Sequence, residues 1–221
     1  MVDKFNLTQE QNIFFAKRNI VDSLWKSANL EGIAVTFPET QKIFDGGNVE
    51  HLRVDEIVAI NNLKHAWQFL LSTIDVEINF NYISSIHSLL GSNLVESPGK
   101  IRIFDVKMSG TNWRPELPSK ENLEIMLQEI ESIKCETEKA ILLMCKLMKM
   151  QLFNDGNKRV AMLIANHELI KYGRGVISVS EENKVEFGSK LIQYYENEEL
   201  LAELVDFVYN NCLDGMTLKQ R

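Results

Sequence analysis

The sequence predicts a mostly α-helical fold that carries one β-hairpin, and three observations support this prediction. Apolar residues recur every three or four positions along most of the chain, which is the spacing of one helix face. The clearest β-prone and partly alternating stretch is residues 101–108. No internal repeat or linker divides the 221 residues, so we expect a single domain covering residues 1–221.

The first half of the chain is predicted to be helical. A helix is expected from Thr8 to Ala28, because Thr8 and Gln11 have the spacing of an N-terminal capping box. Further helices are expected from about Val54 to Leu71 and from Phe80 to Leu90, each with apolar residues at helical spacing. A cluster of turn-forming residues between 91 and 99 then ends the helical pattern.

The hairpin is predicted between residues 99 and 118. Its first strand is the β-prone stretch 101–108, its turn is Ser-Gly-Thr-Asn at 109–112, and its second strand begins at Trp113. Pro115 and Pro118 are expected to end the hairpin.

The second half of the chain is again predicted to be helical. Helices are expected at Asn122–Ile133 and at Thr137–Leu152, and the latter is apolar enough to be the central buried helix. After a polar turn, a helix from about Val160 is closed by Gly173. A short strand at 176–179 follows, and two more helices reach about Cys212.

Composition narrows the class of function. The net charge is -7 and the pI is about 5.2, so the surface repels nucleic-acid phosphates and nucleic acid is not expected as a partner. The three cysteines form no C-x-x-C pair, which favours a reducing compartment, and Cys135 and Cys145 are expected in the core. Neither a signal peptide nor a membrane span is predicted, so we expect a cytoplasmic protein without a membrane partner.

The most informative stretch is the polar turn in residues 151–159, Gln-Leu-Phe-Asn-Asp-Gly-Asn-Lys-Arg. Backbone N–H groups around Gly156 and Asn157 can form a concave anion site that opens onto a helix N-terminus. Lys158 and Arg159 fall in the first helical turn, where cations oppose the helix dipole unless a bound anion offsets them. Asp155 can cap the helix or hold Mg²⁺ together with substrate phosphates. A plain Asp-Gly turn with solvated basic residues is the alternative.

This stretch resembles the signature of the Fic/Doc (fido) family, His-x-Phe-x-(Asp/Glu)-Gly-Asn-(Gly/Lys)-Arg. The match covers Phe153 and Asp155 through Arg159. The similarity extends over about 30 to 212, and it includes 165–166, 173–175 and 191–195 beyond the turn. Residues 99–115 resemble the β-hairpin of this family that is known as the flap.

The resemblance implies a helical fold whose flap docks an extended segment of a target protein, and a reaction that moves AMP from Mg-ATP to a target hydroxyl. Asp155 would hold Mg²⁺, and Phe153 would be buried and hold the loop. Nucleotide phosphates would be bound by Gly156, Asn157, Lys158 and Arg159. The target backbone would be contacted from the flap by Arg102, Val106 and Thr111.

Two positions depart from the family pattern. The catalytic His, a general base, is replaced by Gln151, and an amide cannot accept a proton near neutral pH. The second arginine of the family is replaced by Met162, so the Asn-Lys-Arg stretch is closer to the Doc branch, which transfers a phosphoryl group. Three functions therefore stay open: impaired AMP transfer, a Doc-like phosphotransferase, and a non-catalytic module that binds nucleotide or protein.

A further similarity lies upstream, where residues 27–32 resemble the family's inhibitory helix, (Ser/Thr)-x-x-x-Glu-(Gly/Asn), at Ser27, Glu31 and Gly32. The alternative is an ordinary helix end closed by Gly32. Because Met162 removes the partner that the family offers, Glu31 would pair with Arg159 or Lys158, or have no inhibitory role. The resemblance also admits an antitoxin partner or a homo-oligomer.

Overall fold

The computed structural model describes residues 1–216 and confirms the mostly helical fold class. Residues 217–221 of the predicted domain lie outside the described residues. The described part of the chain holds ten α-helices, a 3-10 helix at Glu198–Leu200 and a two-stranded sheet. The α-helices are α1 Gln9–Arg18, α2 Ile20–Leu30, α3 Phe37–Phe44, α4 Val54–Ser72, α5 Phe80–Leu90, α6 Lys120–Glu131, α7 Glu136–Met150, α8 Asn157–Lys171, α9 Glu181–Glu196 and α10 Leu201–Asn211.

The helix most completely enclosed by the others is α8, rather than the predicted Thr137–Leu152 segment, which forms α7. Nearly every residue of α8 is buried, including Asn166, His167 and Glu168. The amide of Asn166 bonds both the N–H and the carbonyl of Ile177, at 2.7 and 2.9 Å. Such pairing lets a helix with polar residues lie in the core, because no buried polar group of Asn166 is left without a partner.

The N-terminal region is divided differently from the prediction. The capping box of Thr8 and Gln11 forms as predicted, but the predicted helix 8–28 separates into α1 and α2 at Asn19. The Asn19 amide donates to the carbonyl of Phe15 at 2.9 Å, a local bond that competes with continued helix. The sequence prediction also omitted α3, which Thr36 caps and Glu39 completes as a second capping box.

The strands are where the prediction was least accurate. Within the described residues, the segment 99–118 contains no strand and runs as an irregular loop, so the predicted hairpin is wrong in its secondary structure. The predicted strand at 176–179 is confirmed for Val176–Ile177 (β1). It pairs antiparallel with Leu213–Asp214 (β2), a partner that was not predicted.

Two smaller expectations concern the cysteines and membrane insertion. Cys145 and Cys212 are buried and free, while Cys135 is half-buried at the N-terminal end of α7 rather than in the core. Among residues 1–216, no helix combines the length and the apolarity needed to cross a membrane.

Candidate functional site

The turn between α7 and α8 is set by two left-handed residues. Gln151 ends α7 with φ 48° and ψ 58°, and Gly156 precedes α8 with φ 77°. Glycine adopts that region without a steric cost, whereas a glutamine does so only when its surroundings hold it. The holding contact is Arg102, whose Nε donates to the Gln151 carbonyl at 2.6 Å.

Asn157 braces the loop from inside. Its side-chain oxygen accepts the N–H of Phe153 at 2.9 Å, and its Nδ2 donates to the Phe153 carbonyl at 2.7 Å. The same Nδ2 donates to Oε1 of Gln151 at 3.0 Å. The side chain of Asn157 is therefore committed to the loop, and only its backbone N–H is left to face a ligand.

The start of α8 presents a row of backbone N–H groups. The N–H groups of Asn157, Lys158 and Arg159 occupy the first helical turn and have no hydrogen-bond partner among residues 1–216. Unpaired N–H groups at a helix N-terminus attract anions, and the helix dipole adds to that attraction. Lys158 is half-buried beside them, and Arg159 is buried.

The side chain of Gln151, at the position of the signature His, is turned into the protein. It is only 5% exposed. Its Nε2 donates to the carbonyl of Met148 at 2.6 Å and lies 3.4 Å from the hydroxyl of Tyr195. With Oε1 bonded to Asn157, both ends of the amide are engaged. Gln151 thus completes the loop as a structural residue and presents no proton acceptor to the cavity.

His87 lies directly under the turn. The ring is 1% exposed and stacks on Phe153 with centroids 3.8 Å apart. The N–H of Gly99 donates to Nδ1 at 2.7 Å, so the proton of the neutral ring is on Nε2, which lies 3.0 Å from the carbonyl of Asp155. Burial lowers the pKa of His87, which keeps the ring neutral.

Glu31 enters the site from the C-terminal end of α2. Its carboxylate oxygens lie 3.4 Å from Nζ of Lys158 and 3.7 Å from Nε of Arg159. Both distances exceed the 2.7–2.9 Å that is typical of a charge-assisted hydrogen bond, so the attraction is electrostatic. Oε1 of Glu31 and Nε of Arg159 are buried and have no hydrogen-bond partner among the described residues.

The segment 27–32 has the geometry of a helix end. Gly32 is left-handed at φ 86° and follows Glu31, the C-cap residue of α2, as a helix-closing glycine does. Ser27 is buried on the same helix. Lys184 of α9 donates to the carbonyl of Asn29 and fastens the helix end over the turn.

Asp155 is the acidic residue of the turn. Its carboxylate accepts from Nη2 of Arg159 at 3.0 Å, and its side chain is 65% exposed. Among the described residues, no group of three His, Cys, Asp or Glu is placed to form a metal site of protein ligands alone. Mg²⁺ is commonly held by one or two carboxylates together with substrate phosphates, so the lone, accessible carboxylate of Asp155 fits such an ion.

These parts surround a cavity of about 410 Å³, a volume within the usual range for small-molecule sites. The 151–158 loop forms one wall, Glu31 a second, and Val106 and Met108 of the flap a third. The last wall belongs to α9, which contributes Lys184, Phe187, Leu191 and Tyr195. The cavity therefore combines an apolar face with a cationic end.

The flap residues divide into different environments. Arg102 is 2% exposed and bonds the backbone carbonyls of Gln151, Phe104, Pro115 and Glu116, so it cannot contact a target as predicted. Val106 lines the cavity, and the hydroxyl of Thr111 donates to Glu196 at 2.5 Å. The most exposed apolar flap side chains are Ile103 and Phe104, at 74% and 68%. Their exposure was not predicted.

Comparison with known proteins agrees with this geometry. The model of the Fic/DOC family matches residues 77–169, which include α5, the flap and the whole 151–159 turn. Residues 77–169, 93 of the 221 residues, are thus similar to the Fic/DOC family. A comparison with curated protein sequences finds no match.

Solved structures extend the likeness to most of the chain. Fic-1 from C. elegans is similar over 89% of this chain and 62% of its own, with TM-score 0.71 and 20% identity. A Fic domain containing signaling protein from Bacteroides thetaiotaomicron is similar over 96% and 94%, with TM-score 0.68 and 16% identity. A Fic family protein from Desulfovibrio desulfuricans is similar over 88% and 64%, with TM-score 0.64 and 16% identity. At these identities the likeness establishes the fold, and this chain spans less than two thirds of the Fic-1 structure.

Proposed function

We propose that this Fic domain binds Mg-ATP in the cavity beside the 151–159 turn and is impaired in transferring AMP to a target hydroxyl. The observation that carries the proposal is the set of N–H groups at the start of α8 that have no partner among residues 1–216, together with an inward-facing Gln151. These N–H groups support phosphate binding. The engaged amide of Gln151 supports impaired transfer, because the position of the family's base holds no group that accepts a proton.

Each phosphate-binding role is assigned to a group that lines the cavity or, for Arg159, lies next to Lys158 in the first turn of α8. The backbone N–H groups of Asn157 and Lys158 would bind phosphate oxygens, and the ammonium group of Lys158 would neutralise their charge. Arg159 would give up its bond to Asp155 and bind the phosphate instead, because its planar guanidinium can donate two hydrogen bonds side by side. Gly156 permits the turn. Asp155, thus released, would hold Mg²⁺, which when bound offsets phosphate charge.

The chemical step shows why Gln151 matters. In AMP transfer, the target hydroxyl oxygen bonds the α-phosphorus, the bond to the bridging oxygen breaks, and pyrophosphate leaves. The hydroxyl proton must pass to an acceptor, and Gln151 provides none. General-base catalysis contributes about 10²- to 10⁴-fold, so a comparable loss of rate is expected.

Two further roles belong to this proposal. Glu31 would be inhibitory, with Ser27 and Gly32 fixing the helix end that carries it, because its carboxylate occupies the cationic end of the cavity. Val106 and Thr111 would border the path of an extended target segment along the flap. Arg102 has no docking role here, since all of its described bonds go to backbone carbonyls of the protein.

The test uses ATP labelled at the α- or the γ-phosphate, a cell extract as the source of targets, and wild type beside Gln151→His. We expect weak α-label transfer by wild type and an increase of about 10²- to 10⁴-fold in the variant. The matched control is Gln128→His, which places the same substitution on an exposed residue of α6. An increase in the control as well would contradict the role of position 151.

The same experiment separates the alternatives. Transfer of the γ-label alone would favour a Doc-like phosphotransferase, for which Lys158 and Met162 are the supporting residues. Transfer of neither label, with calorimetry still showing nucleotide bound, would favour a non-catalytic module. If calorimetry detects no nucleotide with wild type or Gln151→His, the phosphate-site proposal is wrong.

A further inference from the structure

We infer that His87 is a positioning residue that fixes the 151–159 turn and the start of the flap relative to each other. It lies on α5, 68 residues before Asp155 in sequence, yet its ring contacts both segments. The role is separate from the proton transfer proposed above. It rests on the proposed nucleotide site only for its effect on binding.

The two ring nitrogens have different tasks. Nδ1 accepts the N–H of Gly99, the residue where the flap begins, and Nε2–H donates to the carbonyl of Asp155. A neutral imidazole is a donor at one nitrogen and an acceptor at the other, so both contacts are satisfied at once. An asparagine or glutamine amide can reach the position of only one of the two ring nitrogens, so it can replace only one of the two contacts.

The surroundings make the ring rigid. Its face lies parallel to Phe153 at 3.8 Å, with an interplanar angle of 3°. Gly99 is also held through its carbonyl, which accepts from the hydroxyl of Ser84 at 2.7 Å, one turn earlier on α5. Gly99 has φ +80°, and a side chain there would collide with Ser88. The start of the flap is therefore fixed on α5, and His87 fixes the turn relative to the same helix.

The consequence concerns the ligand-facing atoms. The carbonyl of Asp155 precedes Gly156 and the free N–H groups of α8, so its direction sets how those groups face the cavity. If the bond from Nε2 is lost, the turn gains freedom that nucleotide binding must remove again. If only the bond to Nδ1 is lost, the start of the flap gains that freedom and the turn does not.

Two substitutions separate these effects. In His87→Gln the amide nitrogen lies near the position of Nε2 and can still donate to Asp155. In His87→Asn the amide oxygen lies near Nδ1 and can still accept from Gly99. The readouts are amide hydrogen exchange of Phe153, whose N–H is bonded to Asn157 inside the turn, and of Gly99, together with calorimetry of Mg-ADP binding. Melting temperatures check that both variants fold.

We expect a crossed pattern. His87→Asn should speed exchange at Phe153 and weaken Mg-ADP binding by about 3- to 10-fold each, the worth of one neutral hydrogen bond, and leave Gly99 unchanged. His87→Gln should speed exchange at Gly99 by a similar factor and leave Phe153 and Mg-ADP binding near wild type. A structural role alone would move both sites together with the melting temperature.

The outcomes test three points separately: the positioning role of His87, its link to nucleotide binding, and the proposed function. Equal changes at Phe153 and Gly99 in both variants would overturn the positioning role. A crossed exchange pattern with unchanged Mg-ADP affinity in His87→Asn would overturn its link to binding. If wild type binds no Mg-ADP, the proposed function fails, while the exchange pattern still decides whether His87 positions the turn.

Discussion

At the scale of single residues, Gln151 is held in a conformation that its side chain disfavours. A left-handed backbone costs a non-glycine residue about 1–2 kcal/mol. Arg102 on its carbonyl and Asn157 on its amide offset that cost. The loop is therefore formed before any ligand arrives, and a preformed site avoids part of the entropy lost on binding.

Glu31 is the residue whose removal should strengthen nucleotide binding. Its carboxylate lies 3.4 Å from Nζ of Lys158, where it competes with a phosphate for the same cation. We expect Glu31→Gln to tighten Mg-ADP binding by about 5-fold, which corresponds to roughly 1 kcal/mol for a partly exposed pair. Isothermal titration calorimetry at moderate ionic strength measures the change.

The control for this prediction is Glu198→Gln, which neutralises an exposed glutamate paired with Lys149 away from the cavity. That variant should bind as wild type does. Equal affinities of Glu31→Gln and wild type would mean that Glu31 only ends α2, which was the alternative reading of the sequence.

The residues of the site differ in how far the sequence could predict them. Asp155 through Arg159 are contiguous, so their turn and helix start could be read from local chemistry. Arg102 contacts Gln151 across 49 residues, and His87 contacts Asp155 across 68. No spacing rule connects such positions. Their contacts depend on how α5 and the flap dock on α7 and α8, which only the tertiary structure determines.

At the scale of elements, the flap shows why an alternating pattern was misread as a hairpin. Residues 103–105 are all exposed after the buried Arg102, and only residues 105–108 alternate between exposed and half-buried, so the segment alternates in part. The Arg102 guanidinium, however, bonds the carbonyls of Phe104 and Pro115, and no second strand pairs with the segment among the described residues. The other end is held by Trp113, which stacks on Tyr195 at 4.8 Å. Because side chains hold both ends of the segment, it keeps its path without the backbone hydrogen bonds of a second strand.

Arg102 should accordingly be a major determinant of flap order and stability. Lysine keeps the charge but cannot place donors on four carbonyls at once. We expect Arg102→Lys to lower the free energy of unfolding by about 2–4 kcal/mol, because hydrogen bonds to a charged group contribute about 1.5–3 kcal/mol each and some would be retained. Urea denaturation followed by circular dichroism measures this loss.

The matched comparison is Arg114→Lys, the same change at an exposed flap residue. It should alter stability by less than about 0.5 kcal/mol, as surface substitutions usually do. Similar losses in both variants would show that the effect at position 102 does not come from its buried bonds to backbone carbonyls.

At the scale of the whole molecule, the first residues of the chain join elements that are distant in sequence. The N–H of Leu7 donates to the carbonyl of Gly173 just after α8, at 2.9 Å. Asp3 accepts from the backbone N–H and the hydroxyl of Thr137 at the start of α7, at 3.0 and 2.8 Å. It also lies 3.2 Å from Nε of Arg174. The N-terminal segment thus fastens the start of α7 to the end of α8, and these two helices carry the turn between them.

Asp3 performs for α7 the task of a capping residue supplied from outside the helix, since Cys135 at the cap position makes no side-chain cap bond. Replacing a cap by alanine costs about 0.5–2 kcal/mol, so Asp3→Ala should lower the free energy of unfolding at pH 7 by about that amount.

Burial of Asp3 raises its pKa, but the bonds from Thr137 and Cys135 outweigh it and leave the pKa below the ordinary value. The stabilisation is therefore present above the unfolded-state pKa of about 3.9 and is lost as the pH falls through the lower folded-state pKa. Urea melts of wild type and Asp3→Ala between pH 7 and pH 3 should show their difference shrinking only at the acidic end, while Asp206→Ala, on an exposed face of α10, should match wild type throughout. A difference independent of pH would mean that Asp3 acts by packing and not through its carboxylate.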